Sequence, residues 1–498
     1  YSIKDAENLS VNEIWKLYRK YINNSQVDLI STFGFGKDTV KYAEGVYIYT
    51  NNNKKILDFT GGIGVLNIGH NHERIINARK EFANKKRMEV HKNYFSPYIA
   101  ALGANIAKLL PEDLNISFFP NSGAEAVEGA IKLSHKYHKG EREIILHSNI
   151  SFHGKTLGAG NLTGSIETSY YKFPGFLKTD KFIFNNIDSI KEKIRIHKKN
   201  NKSNIYAIII ETFSASSLFS CSENFLQELR KICNEENIVL IYDEIYSGWF
   251  KTGRMFNFMN YKNVVPDVLL SAKSLGGGKS SISSYTCRDH IFKKAYDNLK
   301  DATLHSTTYN GFGEETITAI EAINIMIEEN YQEKSETMGS YISLSLNKIK
   351  EKYPNLIDEV RGKGCLQGIV ITSGIVESIF SSIQGLIPIS FLKDKMALKK
   401  ILVSSIIFHL YEKYNILTFY GSNKGIPLKV SPSLIINKKE IDYFISSLDE
   451  TLKIGLTKLV LNFVKSKFFN KKNVWKKNNK FFIQKKYRIS KNKKSWRK

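Results

Sequence analysis

The chain has 498 residues, of which 42% are hydrophobic and 24% charged, a balance typical of a globular protein with a large core. This length predicts two to four domains. The net charge is +25, but residues 465–498 contain 15 Lys and Arg and no acid, so the rest of the chain carries +10. The charge therefore belongs largely to a tail, and it does not by itself indicate a nucleic-acid-binding protein.

The chain contains no run of about 18 uncharged apolar residues. The longest candidate, residues 401–417, is interrupted by His409, Glu412 and Lys413, so we expect no membrane span. The N-terminus lacks a basic region followed by an apolar segment, which predicts no signal peptide. The four cysteines are scattered without a C-x-x-C pair, which is typical of free thiols and a cytoplasmic protein.

The predicted elements begin with a short helix and a strand pair near residues 46–49 and 56–59. From about 100 to 330, short apolar runs alternate with helical stretches; the runs are Ile144–Leu146, Ile205–Ile210, Ile238–Tyr242 and Val268–Leu270. This alternation predicts an α/β fold with a mostly parallel sheet covered by helices on both faces. In such sheets the ligand binds at the carboxyl ends of the strands.

The pattern changes after about residue 335. A long helix over 335–352, a strand region over 356–371 and a last strand–helix pair over 428–452 indicate a smaller α+β domain. We therefore predict four parts: an N-terminal segment, 1–60, that joins the small domain; a large domain, 61–335; a small C-terminal α+β domain, 336–457; and a basic low-complexity tail, 458–498.

Two patterns resemble ligand motifs without meeting their requirements. Gly62-Ile63-Gly64 lacks the third glycine of a dinucleotide loop, because position 67 is Asn, so we interpret it as a turn. The segment His70-Asn71-His72-Glu73 has no matching cluster of ligands elsewhere in the sequence, so we predict no metal site.

Lys273 lies between the apolar run Val268–Leu270 and three consecutive glycines, Gly276–Gly278. A lysine must lose its proton before it attacks a carbonyl group, and the end of a buried strand favours that loss by desolvation. The glycines would let a flat ligand approach the backbone closely. A Schiff-base lysine fits both features, although an ordinary loop lysine would also explain this residue taken alone.

Two further segments end predicted strands with polar residues. Asp243 follows a buried strand, where an acid needs a cationic partner such as the protonated pyridine nitrogen of pyridoxal phosphate. Asn121-Ser122-Gly123 joins a strand to a helix, and the free N–H groups at a helix start form an anion site. A solvated loop acid and an ordinary N-cap are the simpler explanations of each segment alone.

Taken in order, these segments resemble the class III (omega) aminotransferases, which are fold type I pyridoxal-phosphate enzymes. The resemblance extends from about Gly45 to Leu452. The motifs that carry it are Asp58-Phe59, Gly69-His70-Asn71-His72, Asn121-Ser122-Gly123-Ala124-Glu125-Ala126, Phe152-His153-Gly154, Asp243-Glu244-Ile245, Gly253-Arg254-Met255-Phe256, Pro266-Asp267, Lys273-Ser274-Leu275-Gly276-Gly277-Gly278, His305-Ser306-Thr307-Thr308-Tyr309 and Arg361-Gly362-Lys363-Gly364.

The resemblance implies a role for pyridoxal 5'-phosphate as cofactor. Lys273 would form the Schiff base with it and later move the proton of the substrate carbon, while Asp243 would pair with the ring nitrogen. The resemblance further implies a homodimer with a shared active site. The implied cofactor-binding residues are Ser122, Gly123, Ala124, Phe152, His153, Asp243, Tyr246, Lys273 and Thr308.

Within that set, Ser122, Gly123 and Ala124 would hold the phosphate, and Thr308 would reach it from the partner subunit. Phe152 would stack on the ring face, a use suited to an aromatic plane. Glu211 corresponds to the acid that begins the loop after the middle strand in this family, and we assign it to the substrate.

Four places depart from the family pattern: Tyr246, Lys279-Ser280-Ser281, Asn310-Gly311-Phe312-Gly313 and Lys429. Tyr246 stands where the family usually has Gln, and its phenol can also hydrogen-bond the 3'-oxygen of the cofactor. Lys429 stands where an Arg commonly binds a substrate carboxylate, and a lysine cannot reproduce that bidentate fork. The substrate is therefore open: an amino acid with an oxo acid, an amine, a phosphorylated amine or a carrier-bound aldehyde.

We therefore predict a pyridoxal-phosphate-dependent aminotransferase that moves an amino group from an amine or amino acid to a carbonyl acceptor. A lyase, decarboxylase, racemase or aminomutase on the same fold is the alternative. A lesser alternative is a degenerate, non-catalytic relative whose basic tail binds nucleic acid or a membrane, since aromatic residues alternate there with cations. We prefer to interpret the tail as a disordered Lys- and Asn-rich extension.

Overall fold

The computed structural model describes residues 1–164, 175–372, 374, 379 and 395–468. The contacts divide the chain into two units, one of residues 39–372 with 415–446, the other of residues 1–38, 373–414 and 447–498. This division differs from the predicted domains, because the strands after residue 356 belong to the same unit as the central sheet. The predicted N-terminal segment is divided between the two units.

The predicted tail also begins differently. Residues 456–468 form a helix whose Leu459, Val460 and Phe463 are buried, because its apolar residues recur at helical spacing. The remainder of the tail, from residue 469, lies outside the described residues, and with it most of the aromatic and basic residues on which the binding hypothesis rests.

The helices of the described chain are α1 (Ile3–Glu7), α2 (Val11–Leu17), α3 (Asn24–Thr32), α4 (Glu73–Asn84), α5 (Pro97–Leu109), α6 (Gly123–Tyr137), α7 (Leu157–Asn161), α8 (Ile187–Ile196), α9 (Glu223–Glu235), α10 (Asp289–Ala295), α11 (Gly313–Glu328), α12 (Tyr331–Lys352), α13 (Lys395–Tyr414), α14 (Lys438–Lys453) and α15 (Leu456–Phe468). None of them is long and apolar enough to cross a membrane. Helix α12 begins four residues before the predicted start, because the Asn330 side chain caps it by accepting from Glu333 N.

The strands are β1 (Val40–Glu44), β2 (Tyr47–Thr50), β3 (Lys55–Asp58), β4 (Leu114–Phe118), β5 (Ile144–Ser148), β6 (Lys178–Phe182), β7 (Ile205–Ile210), β8 (Val239–Asp243), β9 (Val268–Ser271), β10 (Ser284–Arg288), β11 (Ile357–Lys363), β12 (Leu366–Ile371), β13 (Ile416–Leu417), β14 (Phe419–Tyr420) and β15 (Leu428–Val430). Two-residue pairs join 198–199 to 202–203 and 213–214 to 219–220. The four apolar runs singled out in the sequence all form strands, as predicted.

The central sheet has seven strands in the order β4-β10-β9-β8-β7-β5-β6. The five strands from β9 to β6 are parallel, while β10 pairs antiparallel with both β9 and β4. All six residues of β7 are buried, because a parallel sheet covered on both faces leaves no side of the strand to solvent. This is the mostly parallel α/β sheet that the alternation of the sequence predicts.

The apolar faces of the flanking helices match the predicted spacing. Ala126, Ala130 and Leu133 of α6 pack with residues of the central strands in one buried cluster. On α9, Leu226, Leu229 and Cys233 are buried. Burial of these stripes against the sheet supplies the main stabilisation of the unit.

Two smaller sheets complete this unit. One has the order β1-β2-β3-β13, and the other has the order β11-β12-β15-β14. The segment after β3 is a turn, as predicted: Gly61, Gly62, Ile63 and Gly64 all have positive φ. The Asp58 carboxylate accepts from Thr60 N and Gly61 N, and His70 contacts its other oxygen at 3.1 Å.

Candidate active site

A cavity of about 710 Å³ lies at the carboxyl ends of the central parallel strands. Ten of the eleven residues predicted for the site line it: Ser122, Gly123, Ala124, Phe152, His153, Glu211, Asp243, Tyr246, Lys273 and Lys429. Glu211 directly follows β7, Asp243 ends β8, and Lys273 lies two residues after β9. The parallel register of these strands explains why residues distant in sequence meet at one edge.

Asp243 forms a buried pair with His153. The Nδ1 atom of His153 lies 2.6 Å from Oδ2 of Asp243, and Ile245 N donates to Oδ1 at 3.1 Å. An ionised carboxylate only accepts hydrogen bonds, so such a carboxylate would pair here with an imidazole that carries its proton on Nδ1. The other imidazole nitrogen, Nε2, is buried and has no hydrogen-bond partner in the described part of the chain.

Glu211 is buried beside this pair. Phe152 N donates to its Oε2 at 3.0 Å and Ala215 N donates to its Oε1 at 3.3 Å. Burial raises the pKa of the Glu211 carboxyl to about 7, and the nearby Asp243 acts in the same direction, whereas His153 and the two N–H donors act against it. The carboxyl therefore changes charge near neutral pH.

Two lysine side chains face the ring of Tyr246. Nζ of Lys273 lies 5.0 Å and Nζ of Lys429 lies 4.3 Å from the ring centroid. Burial lowers the pKa of the Lys273 ammonium, and burial lowers that of Lys429 to about 8. Among the described residues no carboxylate oxygen lies within 4.0 Å of either nitrogen. Both amines are therefore poised to lose their protons more readily than a surface lysine.

The backbone at Lys273 is unusual for a residue with a side chain. Its φ is +49°, in the left-handed region, and it begins a short 3₁₀ turn that ends at Gly277. Ser274 Oγ anchors this turn by donating to Gly64 O at 2.9 Å. A Cβ at Gly277 would lie 2.9 Å from Ala322 Cβ, so here the glycine is needed for packing against α11.

The turn before α6 presents the start of a helix to the cavity. Ser122 is the N-cap, and its Oγ accepts from Glu125 N at 3.3 Å. The first N–H groups of a helix have no partner within it, so those of Gly123 and Ala124 are available to an anion. A Cβ at Gly123 would lie 2.9 Å from Ile245 Cδ1, which explains why this position is a glycine.

Sequence reasoning missed several residues of the site. Ser283, just before β10 and behind the cavity lining, donates its backbone N–H to Pro120 O at 2.8 Å and its hydroxyl hydrogen to Ser122 O at 2.8 Å, and so fixes the turn. Phe419 and Tyr420 also line the cavity with stacked rings 4.8 Å apart. No spacing in the sequence singles them out, because their place depends on pairing between distant strands.

Thr308 is the one predicted residue that the structure does not bring to this cavity. It lines a different cavity, also of about 710 Å³, together with Lys92, Tyr285 and His305. The expectation that Thr308 acts on the site of a partner subunit therefore stays a prediction.

The residues present fit pyridoxal phosphate. The cavity combines a helix start for an anionic group, a buried carboxylate for a cationic ring nitrogen, and a partly buried amine of lowered pKa for a carbonyl group. Phe152, with 38% of its surface exposed, offers an aromatic face. The fold and these groups together define a pyridoxal-phosphate-dependent transferase.

The comparisons with known proteins give the family. A model of the family "aminotransferase class-III" matches residues 36–452, and the chain belongs to this family of pyridoxal-phosphate-dependent transaminases. The fold class and the activity predicted from the motifs are thereby confirmed. The general substrates of the family are an amine and an oxo acid.

Solved structures share the fold at low identity. The chain is similar to adenosylmethionine-8-amino-7-oxononanoate aminotransferase from Methanocaldococcus jannaschii, with a TM-score of 0.75, 23% identity, and coverage of 89% of this chain and 99% of that one. It is also similar to an (S)-enantioselective omega-transaminase from Thermomicrobium roseum, with a TM-score of 0.74, 21% identity, and coverage of 89% of this chain and 98% of that one. A third similar structure is an ornithine aminotransferase from Toxoplasma gondii, in which pyridoxal phosphate partially occupies the active site. Its TM-score is 0.72 at 19% identity, with coverage of 93% of this chain and 98% of that one.

Proposed function

We propose that Lys273 is the cofactor-binding and catalytic amine of this transaminase. The observation that carries the proposal is the partly buried Lys273 side chain, of lowered pKa, in one cavity with the Asp243–His153 pair and the N-terminus of α6. When bound, pyridoxal phosphate supplies the electron-withdrawing ring that makes the substrate Cα–H acidic.

The residues of the chain would divide the remaining tasks. Lys273 Nζ would bind the cofactor carbonyl group and then act as general base and acid for the proton of the substrate carbon. Asp243, paired with His153, would lie opposite the ring nitrogen. The N–H groups of Gly123 and Ala124, with Ser122, would bind the phosphate.

Phe152 would cover one face of the ring and help to exclude water. Tyr246 would lie within reach of the cofactor's 3'-oxygen, and Thr308 would complete the phosphate site of a partner subunit in a homodimer. We assign Glu211 and Lys429 to the substrate, since both line the cavity. The cytoplasmic location predicted from the cysteines likewise remains a proposal.

The test is the visible absorption spectrum of the purified protein before and after addition of a panel of amines. We expect a band in the visible that one or more amines remove, with formation of pyridoxamine phosphate. The Lys273→Ala variant should lack the band, while Lys251→Ala, which removes a buried lysine outside the cavity, should keep it if folded. A wild-type protein that stays colourless with added pyridoxal phosphate would contradict the proposal.

The same experiment separates the alternatives. Conversion of the cofactor to pyridoxamine phosphate supports transamination. An amine consumed while the cofactor returns unchanged after each turnover would favour a lyase, decarboxylase, racemase or aminomutase.

A further inference from the structure

Lys429 lines the same cavity as Lys273, and both side chains contact the same aromatic ring. The two Nζ atoms lie 4.3 and 5.0 Å from the centroid of Tyr246, so they are separated by no more than the sum of these distances. The ring itself is fixed. The backbone at Gly64 packs against it so closely that a Cβ there would lie 2.7 Å away, and its hydroxyl contacts Ser431 Oγ at 3.3 Å.

Few interactions in the structure stabilise the charged form of the Lys429 side chain. In the described part of the chain its Nζ makes no ion pair within 4.0 Å. Burial lowers its pKa to about 8, while Glu211, more distant in the same cavity, acts in the opposite direction. The other charged or titratable groups around it are Lys273, Lys251 and Tyr246.

A pKa of about 8 has a direct chemical consequence. At pH 7 about one tenth of the Lys429 amine is unprotonated, against roughly one part in three thousand for a lysine of ordinary pKa. Only the unprotonated amine attacks a carbonyl carbon. Lys429 therefore has the property that reactive lysines require, and it has it inside a cavity that also holds the proposed catalytic lysine.

Lys251 is a nearby buried lysine that we expect not to react with carbonyl compounds. Its Nζ donates to Pro432 O at 2.6 Å and to Ser431 O at 3.3 Å, and Lys251 does not line the cavity. It is fully buried, whereas Lys429 is only partly buried and lines the cavity wall on β15. The two lysines are close in the fold but differ in access and in hydrogen bonding.

We propose that Lys429 is a second carbonyl-reactive amine, which holds an aldehyde in the cavity as a reversible Schiff base. The lone pair of Nζ forms a bond to the aldehyde carbon, and the carbonyl oxygen leaves as water with the two hydrogens of the neutral amine. Water reverses the reaction, and no oxidation or reduction takes place. The inference goes beyond the proposed function, because it needs only the amine and the cavity, whatever Lys273 carries.

The experiment maps lysine modification in the holoenzyme. Sodium borohydride first fixes any cofactor on its lysine. Butanal and sodium cyanoborohydride are then added at pH 7, so that each Schiff base formed is reduced to a stable butyl-lysine. Mass spectrometry of peptides gives the rate at each position. Lys155, an exposed lysine that lines the same cavity, is the matched reference.

We expect Lys429 to be butylated at least tenfold faster than Lys155, with a rate that rises with pH to a midpoint near 8. The Lys429→Arg variant, which keeps the charge but cannot form a Schiff base, should lose this signal and keep the others. A rate at Lys429 equal to or below that at Lys155 overturns the inference. Absence of cofactor on Lys273 after borohydride would count against the proposed function instead, so the two failures are distinguishable.

Discussion

The two sides of the end of strand β8 carry adjacent acids in very different surroundings. Asp243 faces the cavity, and its carboxylate has one imidazole and one backbone N–H as partners. Glu244 is fully buried and does not line the cavity. Its oxygens accept from Thr212 Oγ1, Ser247 Oγ, Asn257 N and Phe258 N at 2.7–2.8 Å.

This difference shows how neighbouring acids on one strand separate into a reactive group and a structural one. Successive side chains of a strand point to opposite sides, so sequence adjacency says little about shared function. Four donors hold Glu244 in place and tie together the segments around it. Asp243, with its open side toward the cavity, keeps capacity for a ligand. We expect changes on the cavity side to affect catalysis and changes on the other side to affect stability.

The largest effect should come from the cavity side, at Lys273. The substitution Lys273→Ala removes both the proposed covalent attachment and the proton carrier, so we expect the transamination rate to fall by roughly 10³-fold or more. Single-turnover assays with the best amine, together with the circular dichroism spectrum, measure the loss and check the fold. A variant that retains a tenth of the activity would rule out the proposed role.

Asp243→Asn should follow, with kcat/KM reduced by about 10²- to 10³-fold, because the amide cannot supply negative charge opposite the ring nitrogen. The urea midpoint of the cofactor-free protein should change less than in the corresponding variant of Glu244. An Asp243→Asn enzyme with normal kinetics would break the distinction drawn between the two acids.

Glu244→Gln is the matched change on the other side of the strand. It removes a buried charge that accepts four hydrogen bonds, so we expect the free energy of unfolding to fall by about 3 kcal/mol. Activity per folded molecule should stay within about twofold of the wild type at a temperature where the variant is folded. Urea unfolding and active-site titration measure the two quantities. If Glu244→Gln lost activity while its free energy of unfolding stayed unchanged, Glu244 would be assigned to catalysis rather than to stability.

Glu211 should make stability depend on pH on the cavity side. Its folded pKa of about 7 exceeds the value of 4.5 for an unperturbed glutamate, so the folded chain binds more protons than the unfolded chain between these values. Stability is therefore lost as pH rises through this window. Between pH 4.5 and 8, wild type should lose about 2–3 kcal/mol more than Glu211→Gln in urea titrations of the cofactor-free protein. If the free energies of unfolding of the two proteins changed in parallel with pH, the raised pKa of Glu211 would be contradicted.

The smallest effect should come from Ser247→Ala. It removes one of the four donors to Glu244, and we expect a cost of about 1 kcal/mol in the free energy of unfolding with no change in kcat/KM. Thr212→Val, which removes another hydroxyl donor, provides a second measurement of the same kind. If either variant instead changed KM and left the free energy of unfolding unchanged, the hydrogen-bond network of Glu244 would be linked to the cavity rather than to stability.

The central sheet was predictable because parallel strands covered on both faces leave a direct signature in the sequence. The runs Ile205–Ile210 and Val268–Leu270 are uninterrupted by polar residues for that reason. Asp243 and Lys273 were predictable from their places after apolar runs, since the carboxyl ends of such strands form the ligand-binding edge, whereas Glu211 was predicted only from the family resemblance.

The remaining parts of the site depend on contacts between distant segments. Ser283 reaches the turn at Ser122 only because β10 inserts between β4 and β9, and no local pattern predicts that order. The contact of Lys429 with Tyr246 likewise requires the pairing of β15 with β12 and β14. The pairing of His153 with Asp243 was also invisible, because the motif spacing gives both residues but not their 2.6 Å contact.

The position of β10 in the sequence also limits how early in translation the central sheet can be completed. Strand β4 pairs only with β10, which follows it by the whole length of the intervening sheet and helices. On a ribosome that adds about 5–20 residues per second, β4 must wait roughly ten to thirty seconds for its partner. Throughout that interval the Ser122 turn lacks its contact with Ser283, so a nascent chain cannot complete this turn until β10 has been translated. The turn proposed to bind the cofactor phosphate therefore gains this support only after strands β5 to β9 have been synthesised.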